Sequence, residues 1–508
     1  MLVAFTVRKQ IIHRNTFMKI VTLALLAQAC LFSFVGIRAE EVAKPNIVFV
    51  FCDDLGYGDV QCLNPERGRI STPAIDRLAK EGMIFTDAHT SSAVCSPTRY
   101  GLLTGRYNWR TRLQSGVVQG YAPCLIAPDR PTVASFLQKQ GYHTALIGKW
   151  HLDFQYQNPE NEEFFTKKSK KTPVPIGYKI PDGPIHRGFD YYHGFHHARS
   201  MKAVIENDTV IQHENEIHML PRLTRKAVEY IDNRAKTNRD QPFFLYVPYG
   251  SPHTPILPTE KWQGKSKLGS YGDFVMETDD GFRAILEAID RNNFTDNTIV
   301  IFSSDNGCSR AAGISKLQKK GHFPSAHFRG SKADLWEGGH RVPFIVRWPG
   351  KVKAGSTSNQ LICLNDFFAT CADLLETPLP EKSAEDSVSF LPALSGQPIV
   401  SSRQGVIHHS INGHFAYRQG KWKLLLAYGS GGWSSPNENA AKKSGVPIAQ
   451  LYDLEKDPGE TTNLYESHPE EAKRLLELLE ADVMRGRSTK GNPAQNDVSK
   501  IKLWKSGK

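Results

Sequence analysis

Asn46-Ile-Val-Phe-Val-Phe-Cys-Asp-Asp54 is an apolar run without alternation that ends on two adjacent carboxylates. A strand with one solvated face alternates in polarity, so an unbroken run reads as a strand covered on both faces. Three more runs share the form. Thr298-Ile-Val-Ile-Phe302 passes through two serines into Asp305-Asn306-Gly307, His143-Thr-Ala-Leu-Ile147 leads to Lys149-Trp-His151, and Pro242-Phe-Phe-Leu-Tyr-Val247 leads to Ser251-Pro-His253. Helical patterns lie between them: 72–81, opened by Thr72 and stopped by Gly82; 132–140, followed by Gly141; and a longer one over 273–292. Strands alternating with helices predict an α/β fold with a mostly parallel central sheet.

In such a sheet the ligand site lies outside the carboxyl ends of the strands, where residues distant in sequence meet. The four run ends would then share one site. Two adjacent acids and an Asp-Asn pair supply hard oxygen donors, which suit Ca²⁺ or Mg²⁺ and not a soft metal. Taken singly, each pair equally describes a solvated loop or a helix cap.

The pentapeptide Cys95-Ser-Pro-Thr-Arg99, extended as far as Gly105, adds a thiol with Pro two residues and Arg four residues after it. Read alone it also describes a buried or disulfide-bonded Cys ahead of a Pro in the first turn of a helix. Together with Asp53-Asp54-Leu-Gly-Tyr-Gly-Asp, Gly148-Lys149-Trp-His151, Pro252-His253, Ser304-Asp305-Asn306-Gly307, and Gly330-Ser-Lys332 through Trp336-Glu-Gly-Gly-His-Arg-Val-Pro343, it resembles the type I sulfatases from Lys44 to Glu460. That resemblance implies an alkaline-phosphatase-like fold and oxidation of Cys95 to formylglycine by a maturation enzyme. It also implies metal ligation by Asp53, Asp54, Asp305 and Asn306 joined by the modified Cys95, with Ca²⁺ ahead of Mg²⁺. Arg99, Lys149, His151, His253 and Lys332 are the remaining site residues it implies.

In the chemistry implied by the resemblance, cations neutralise the non-bridging oxygens of a sulfate monoester while one hydroxyl of the aldehyde hydrate attacks sulfur. His253 protonates the leaving oxygen, and His151 or a neighbour takes the proton that lets the hydrate collapse and release sulfate. Arg99, one turn beyond Cys95 if a helix starts at Pro97, holds the hydrate by charge-assisted hydrogen bonds.

The chain has 508 residues and a net charge of +11. Its amino terminus carries Arg8, Lys9, Arg14 and Lys19, then an apolar stretch over 20–37 and Ala39-Glu-Glu. Residues 1–39 therefore read as a secretory signal peptide, giving an exported, periplasmic or secreted protein with no stable membrane insertion. Removing them lowers the net charge to +6. No basic stripe with interleaved aromatics appears, which argues against a nucleic-acid partner. Six cysteines other than Cys30 and Cys95 remain, an even number that permits disulfides without assigning them.

Residues 40–396 read as the catalytic domain. Beyond Leu394-Ser-Gly396, short alternating runs and a helix over 469–485 predict a subdomain of antiparallel strands and a helix over 397–508. Residues 156–184, rich in Lys, Pro, Asn and Glu, predict a loop beside the site. Sugar-gripping groups are expected in 186–197, in His408-His409 and in Gly429-Ser-Gly-Gly-Trp433; the latter two resemble elements of carbohydrate sulfatases near the N-acetylgalactosamine-6-sulfatase branch. The resulting expectation is hydrolysis of a galactose-type 6-sulfate at the end of a sulfated glycan. A phosphoester hydrolase of the same superfamily and a noncatalytic sulfated-glycan binder are the alternatives, and the oligomeric state is left open.

Overall fold

The structure is a computed structural model that describes residues 44–166 and 173–505. The expected signal peptide and the Lys167-Lys168-Ser-Lys170-Lys171 run lie outside the described residues. Residues 45–508 form one unit.

The Asn46–Asp53 strand lies between Thr298–Ser304 and Phe243–Pro252, parallel to both. Next come His143–Lys149 and Tyr191–Phe195, also parallel. These five are the core of a ten-stranded sheet whose outer strands include antiparallel ones. Burial on both faces explains the unbroken apolar runs. Ile47, Phe49 and Phe51 point to one side and Val48, Val50 and Cys52 to the other, and none is more than 1% exposed. The first side is covered by helices Cys95–Thr104, Val133–Lys139 and Phe367–Leu374, and the second by Pro73–Glu81, Met219–Thr237 and Ser270–Arg291.

Several expectations are corrected in detail. Thr72 does not cap its helix; its hydroxyl accepts from the Gln61 amide, and the free N–H groups of Ala74 and Ile75 go to Asp279 of the neighbouring helix. Burial pushes the Asp279 carboxyl up to about 7. The helix bearing Cys95 starts at Cys95 and not at Pro97, which sits in its first turn. The described residues of 156–184 include a stretch along the sheet edge, where Gln157 pairs with Lys179 and the Ile180 amide donates to the Asp208 carbonyl. The seven described cysteines are all free thiols. Among the described residues no helix is long and apolar enough to cross a membrane.

After the main sheet the chain forms a four-stranded antiparallel sheet of Val406–His409, Phe415–Gln419, Trp422–Leu425 and Gln450–Asp453. Helix Pro469–Met484 covers it with Leu475, Leu479 and Val483 buried, while Leu476 and Leu478 are only partly covered. A buried polar network ties this sheet to the rest of the fold. Lys423 Nζ donates to Glu337 at 2.9 Å and to Glu460 at 2.8 Å, and Arg418 pairs with Asp87 at 2.7 Å. His89 Nδ1 lies 2.9 Å from His340 Nδ1, and the His340 ring stacks on His408 at 3.8 Å. Imidazole lone pairs lie in the ring plane, so rings stacked 10° from parallel are arranged for packing and not for ligating one ion between them.

Burial holds His89 down at about 4, and it holds His340 and His408 well below the ordinary imidazole range. All three are neutral when folded and would take up protons near pH 6.5 when unfolded. Below that pH their unfolded forms bind more protons, so these three histidines withdraw stability as pH drops from about 6.5 towards 4, by up to about 1.4 kcal/mol per pH unit each, against the opposite contribution of raised carboxyls such as Asp279 and Glu460. The fall in urea midpoint across that range is expected to be shallower in His408→Gln than in the wild type, because one of these protonation costs is gone, and an unchanged slope would contradict this assignment.

Candidate functional site

The ends of the four predicted strands converge as the topology requires. Asp53 is the last residue of its strand, and Asp54 follows in a left-handed conformation with φ of 66°. Lys149 closes the His143–Lys149 strand, and His151, at φ of 56°, follows two residues later. Two non-glycine residues with positive φ at one site are backbone strain held in place by the surrounding packing. Asp305, Asn306 and Gly307 follow Thr298–Ser304. A Cβ at Gly307 would lie 1.9 Å from the Gly338 carbonyl oxygen, so the close approach of these two motifs needs a glycine at 307.

Cys95, first residue of its helix, sits at this convergence with Sγ 3.4 Å from Asp53 Oδ1 and 3.5 Å from Lys332 Nζ. Around it, three acids face three cations. Lys149 Nζ reaches Asp53 at 2.5 Å, Lys332 Nζ reaches Asp54 at 2.5 Å, and Arg99 donates Nε and Nη2 to Asp305 Oδ2 at 3.1 and 2.8 Å. Every one of these six side chains is at most 6% exposed. Arg99 gives its remaining nitrogen to the Lys149 carbonyl, so it holds Asp305 and the strand end instead of residue 95.

Burial alone would raise Asp53, but Lys149, His253, Arg99 and Lys332 hold its carboxyl well below the usual range. Asp305 moves the other way, raised by burial and by the charge of Asp53. Burial also pushes the Cys95 thiol far above its ordinary value, so as a thiol it is inert.

The two histidines differ. His151 is buried, and burial with Lys149 close by holds it well below the ordinary imidazole range. Its Nε2 lies 3.2 Å from the Val118 carbonyl, which fixes the proton there and leaves Nδ1 a bare acceptor with no partner among the described residues. His253 has a side chain 20% exposed, with Nδ1 against the Thr254 carbonyl and Nε2 3.7 Å from Asp54. Burial lowers it, with Asp53 and Asp54 opposing.

Ligand atoms of Asp53, Asp54, Cys95 and His253 lie within 4.8 Å of one another. Asn306 donates its amide N–H to Asp54 at 2.8 Å, while its Oδ1 is buried with no hydrogen-bond partner among the described residues. An orphaned amide oxygen among carboxylates is a donor set suited to a hard divalent cation.

Above the site lies a cleft of about 580 Å³ lined by Arg199, His253, Arg310, Lys332 and Trp433 among others. Asp334 joins its wall to the site: its carboxylate accepts from the Ser331 amide beside Lys332 and from the Trp433 and Ser434 amides, at 2.8 to 2.9 Å. Of the expected sugar-gripping groups, Trp433 reaches the cleft. His408 and His409 do not, being 0% and 1% exposed within the core. In 186–197, Phe189 stacks on Phe244 in the core and His193 and His196 are buried. Neither Arg199 nor Arg310 was singled out from the sequence, since a lone surface arginine carries no pattern. Tyr271, which donates to the Asp59 carboxylate at 2.5 Å beneath the Asp54 turn, was also missed.

A family model described as Sulfatase matches residues 45–377, and one described as N-sulphoglucosamine sulphohydrolase, C-terminal, matches 331–487. An N-acetylgalactosamine-6-O-sulfatase of Bacteroides thetaiotaomicron is 34% identical over 87% of this chain and 94% of its own length. The mouse N-acetylgalactosamine-6-sulfatase is 30% identical over 84% of each. A solved structure from work on the metabolism of multiple glycosaminoglycans by Bacteroides thetaiotaomicron superposes with a TM-score of 0.75 at 31% identity, covering 87% of this chain and 100% of that one. The fold is alkaline-phosphatase-like, with the mostly parallel sheet and the small antiparallel sheet both present. With a family model over well more than half of its length and a relative above 30% identity across nearly all of that relative, the chain belongs to the sulfatase family and hydrolyses sulfate esters.

Proposed function

We propose that this sulfatase removes a 6-sulfate from a galactose or N-acetylgalactosamine unit at the end of a sulfated glycan, outside the cytoplasm, using residue 95 as nucleophile in its formylglycine form. The observation that carries the reading is the placement of Cys95 Sγ between Asp53 and Lys332 in a pocket of three acids and three cations. The substrate assignment draws support from the N-acetylgalactosamine-6-sulfatases among the relatives.

The surroundings suit the modified residue better than the thiol. A neutral, buried sulfur gains little from an ammonium group 3.5 Å away, whereas oxygens of a hydrated aldehyde would accept from it. Formylglycine supplies a geminal diol, one hydroxyl of which can attack sulfur while the other provides the route for releasing sulfate. Asp53, Asp54, Asp305 and Asn306 would hold Ca²⁺, which supplies positive charge for the sulfate oxygens. With three acids and three bases already balanced, a divalent ion leaves the site positive by two, matched to an anionic ester.

Lys149 and Lys332 then neutralise and orient the sulfate oxygens. His253, at the mouth of the cleft, donates a proton from its ring to the departing sugar oxygen, an anionic ester beside it favouring its protonated form. His151, kept neutral and with Nδ1 bare, accepts the proton that triggers release. Arg99 positions Asp305.

Peptide mass spectrometry across residue 95, on protein made with a maturation enzyme, is expected to show the aldehyde, and Cys95→Ala should lose at least about a thousandfold in kcat with its thermal transition retained. Unconverted peptide from active enzyme would refute the assigned nucleophile. Chelation should abolish sulfate release and Ca²⁺ should restore it, with Asn306→Ala needing a higher Ca²⁺ concentration; activity indifferent to chelator would remove the metal from the reading. His253→Ala should cost about 10²–10⁴-fold on a sugar sulfate, whose leaving group needs a proton, and much less on 4-nitrophenyl sulfate, whose leaving group does not. Equal losses on both would exclude His253 as the general acid.

A further inference from the structure

The three inner cations are each committed to an acid: Arg99 to Asp305, Lys149 to Asp53 and Lys332 to Asp54. The cleft above carries two more that are not. Arg310 donates Nη1 to the Trp433 carbonyl at 3.0 Å, with its guanidinium carbon 5.3 Å from the centre of the Trp433 ring. Arg199 donates Nη1 to Gln119 Oε1 at 3.0 Å. Neither forms an ion pair among the described residues, neither touches any of the six inner charges, and no Asp or Glu lines the cleft.

A concave wall with unpaired cations and no acid has a positive potential that favours anions, and a guanidinium fork matches a carboxylate or sulfate in two-point geometry. Both arginines are held by neutral acceptors, which orient the guanidinium and leave its charge available. One sulfate does not account for them, because in the proposed reaction its oxygens already have Lys149 and Lys332 beside residue 95, which leaves the two arginines of the cleft for a further anion. Trp433 beside Arg310 offers a half-buried aromatic face of the kind on which a sugar ring packs.

Building on the reading of this cleft as a sulfated-carbohydrate site, we propose that the substrate carries a second anionic group on the sugar next to the one that loses sulfate, and that Arg199 and Arg310 bind it. A uronate carboxylate and a second sulfate share the required chemistry. The enzyme is therefore specific for polyanionic glycans and discriminates against singly charged sugar sulfates by contacts made one residue away from the reaction.

The test compares kcat/KM of the mature, Ca²⁺-loaded enzyme on a 6-sulfated disaccharide bearing a uronate, on its carboxylate methyl ester, on a disaccharide with a second sulfate in place of the carboxylate, and on an aryl sulfate. The wild type should prefer at least one doubly charged disaccharide to the methyl ester by tenfold or more, and which one it prefers identifies the anion. Arg310→Gln and Arg199→Gln should each reduce that preference severalfold, the double variant should bring it close to one, and lysine at either position should restore part of it. Both side chains are exposed, and the wild-type comparison needs no variant at all. Release that ignores the second anion overturns this inference alone, as does an equal loss by the variants on every substrate, aryl sulfate included. Absence of release from every disaccharide, with aryl sulfate still hydrolysed, overturns the carbohydrate reading and this inference with it.

Discussion

Three carboxylates and three basic side chains, withdrawn from water at the carboxyl ends of neighbouring strands, are the constraint on which the rest of the molecule depends. An isolated buried charge is prohibitively unfavourable, and a buried pair is tolerated only when its geometry and remaining hydrogen bonds are nearly complete. Asp53, Asp54 and Asp305 meet that condition because Lys149, Lys332 and Arg99 arrive from three other segments of the fold. The sheet register, the helix beginning at Cys95 and the loop carrying Lys332 are all needed for those pairings. Balanced charge also means that the pocket is neutral before any ligand enters, so each further charge that binds there is felt strongly.

This arrangement accounts for the division of labour between the two histidines. His151 lies behind the strand ends, where burial and the nearby ammonium keep it neutral and the Val118 carbonyl fixes its tautomer. His253 stands where the cleft meets solvent, close enough to Asp54 for the carboxylates to oppose the effect of burial. Two imidazoles in one pocket thus have different surroundings, and the proposed roles of acid for His253 and base for His151 draw on that difference.

The parallel core was legible because a strand covered on both faces leaves an unbroken apolar run, and the run ends named Asp53, Asp54, Lys149, His151, His253, Asp305 and Asn306 without further help. Cys95, Arg99 and Lys332 needed the family resemblance, since a thiol before a helix or a lysine in a loop carries no periodicity. What escaped were contacts made across the fold. Asp279 taking the cap role expected of Thr72 depends on two helices packing side by side, and the burial of His408 and His409 depends on how the second sheet meets the first. Arg199 and Arg310 were invisible for the simplest reason: a surface arginine acquires meaning only from the cavity it faces.

The carboxylate of Asp334 is hydrogen-bonded on one side to the turn that delivers Lys332 and on the other to the strip of backbone that presents Trp433. Two loops about a hundred residues apart are thus riveted to a single side chain. Replacing the Trp433 strip in this protein would disturb the lysine unless the rivet travelled with it, whereas single side chains on the strip can be exchanged with the frame left in place.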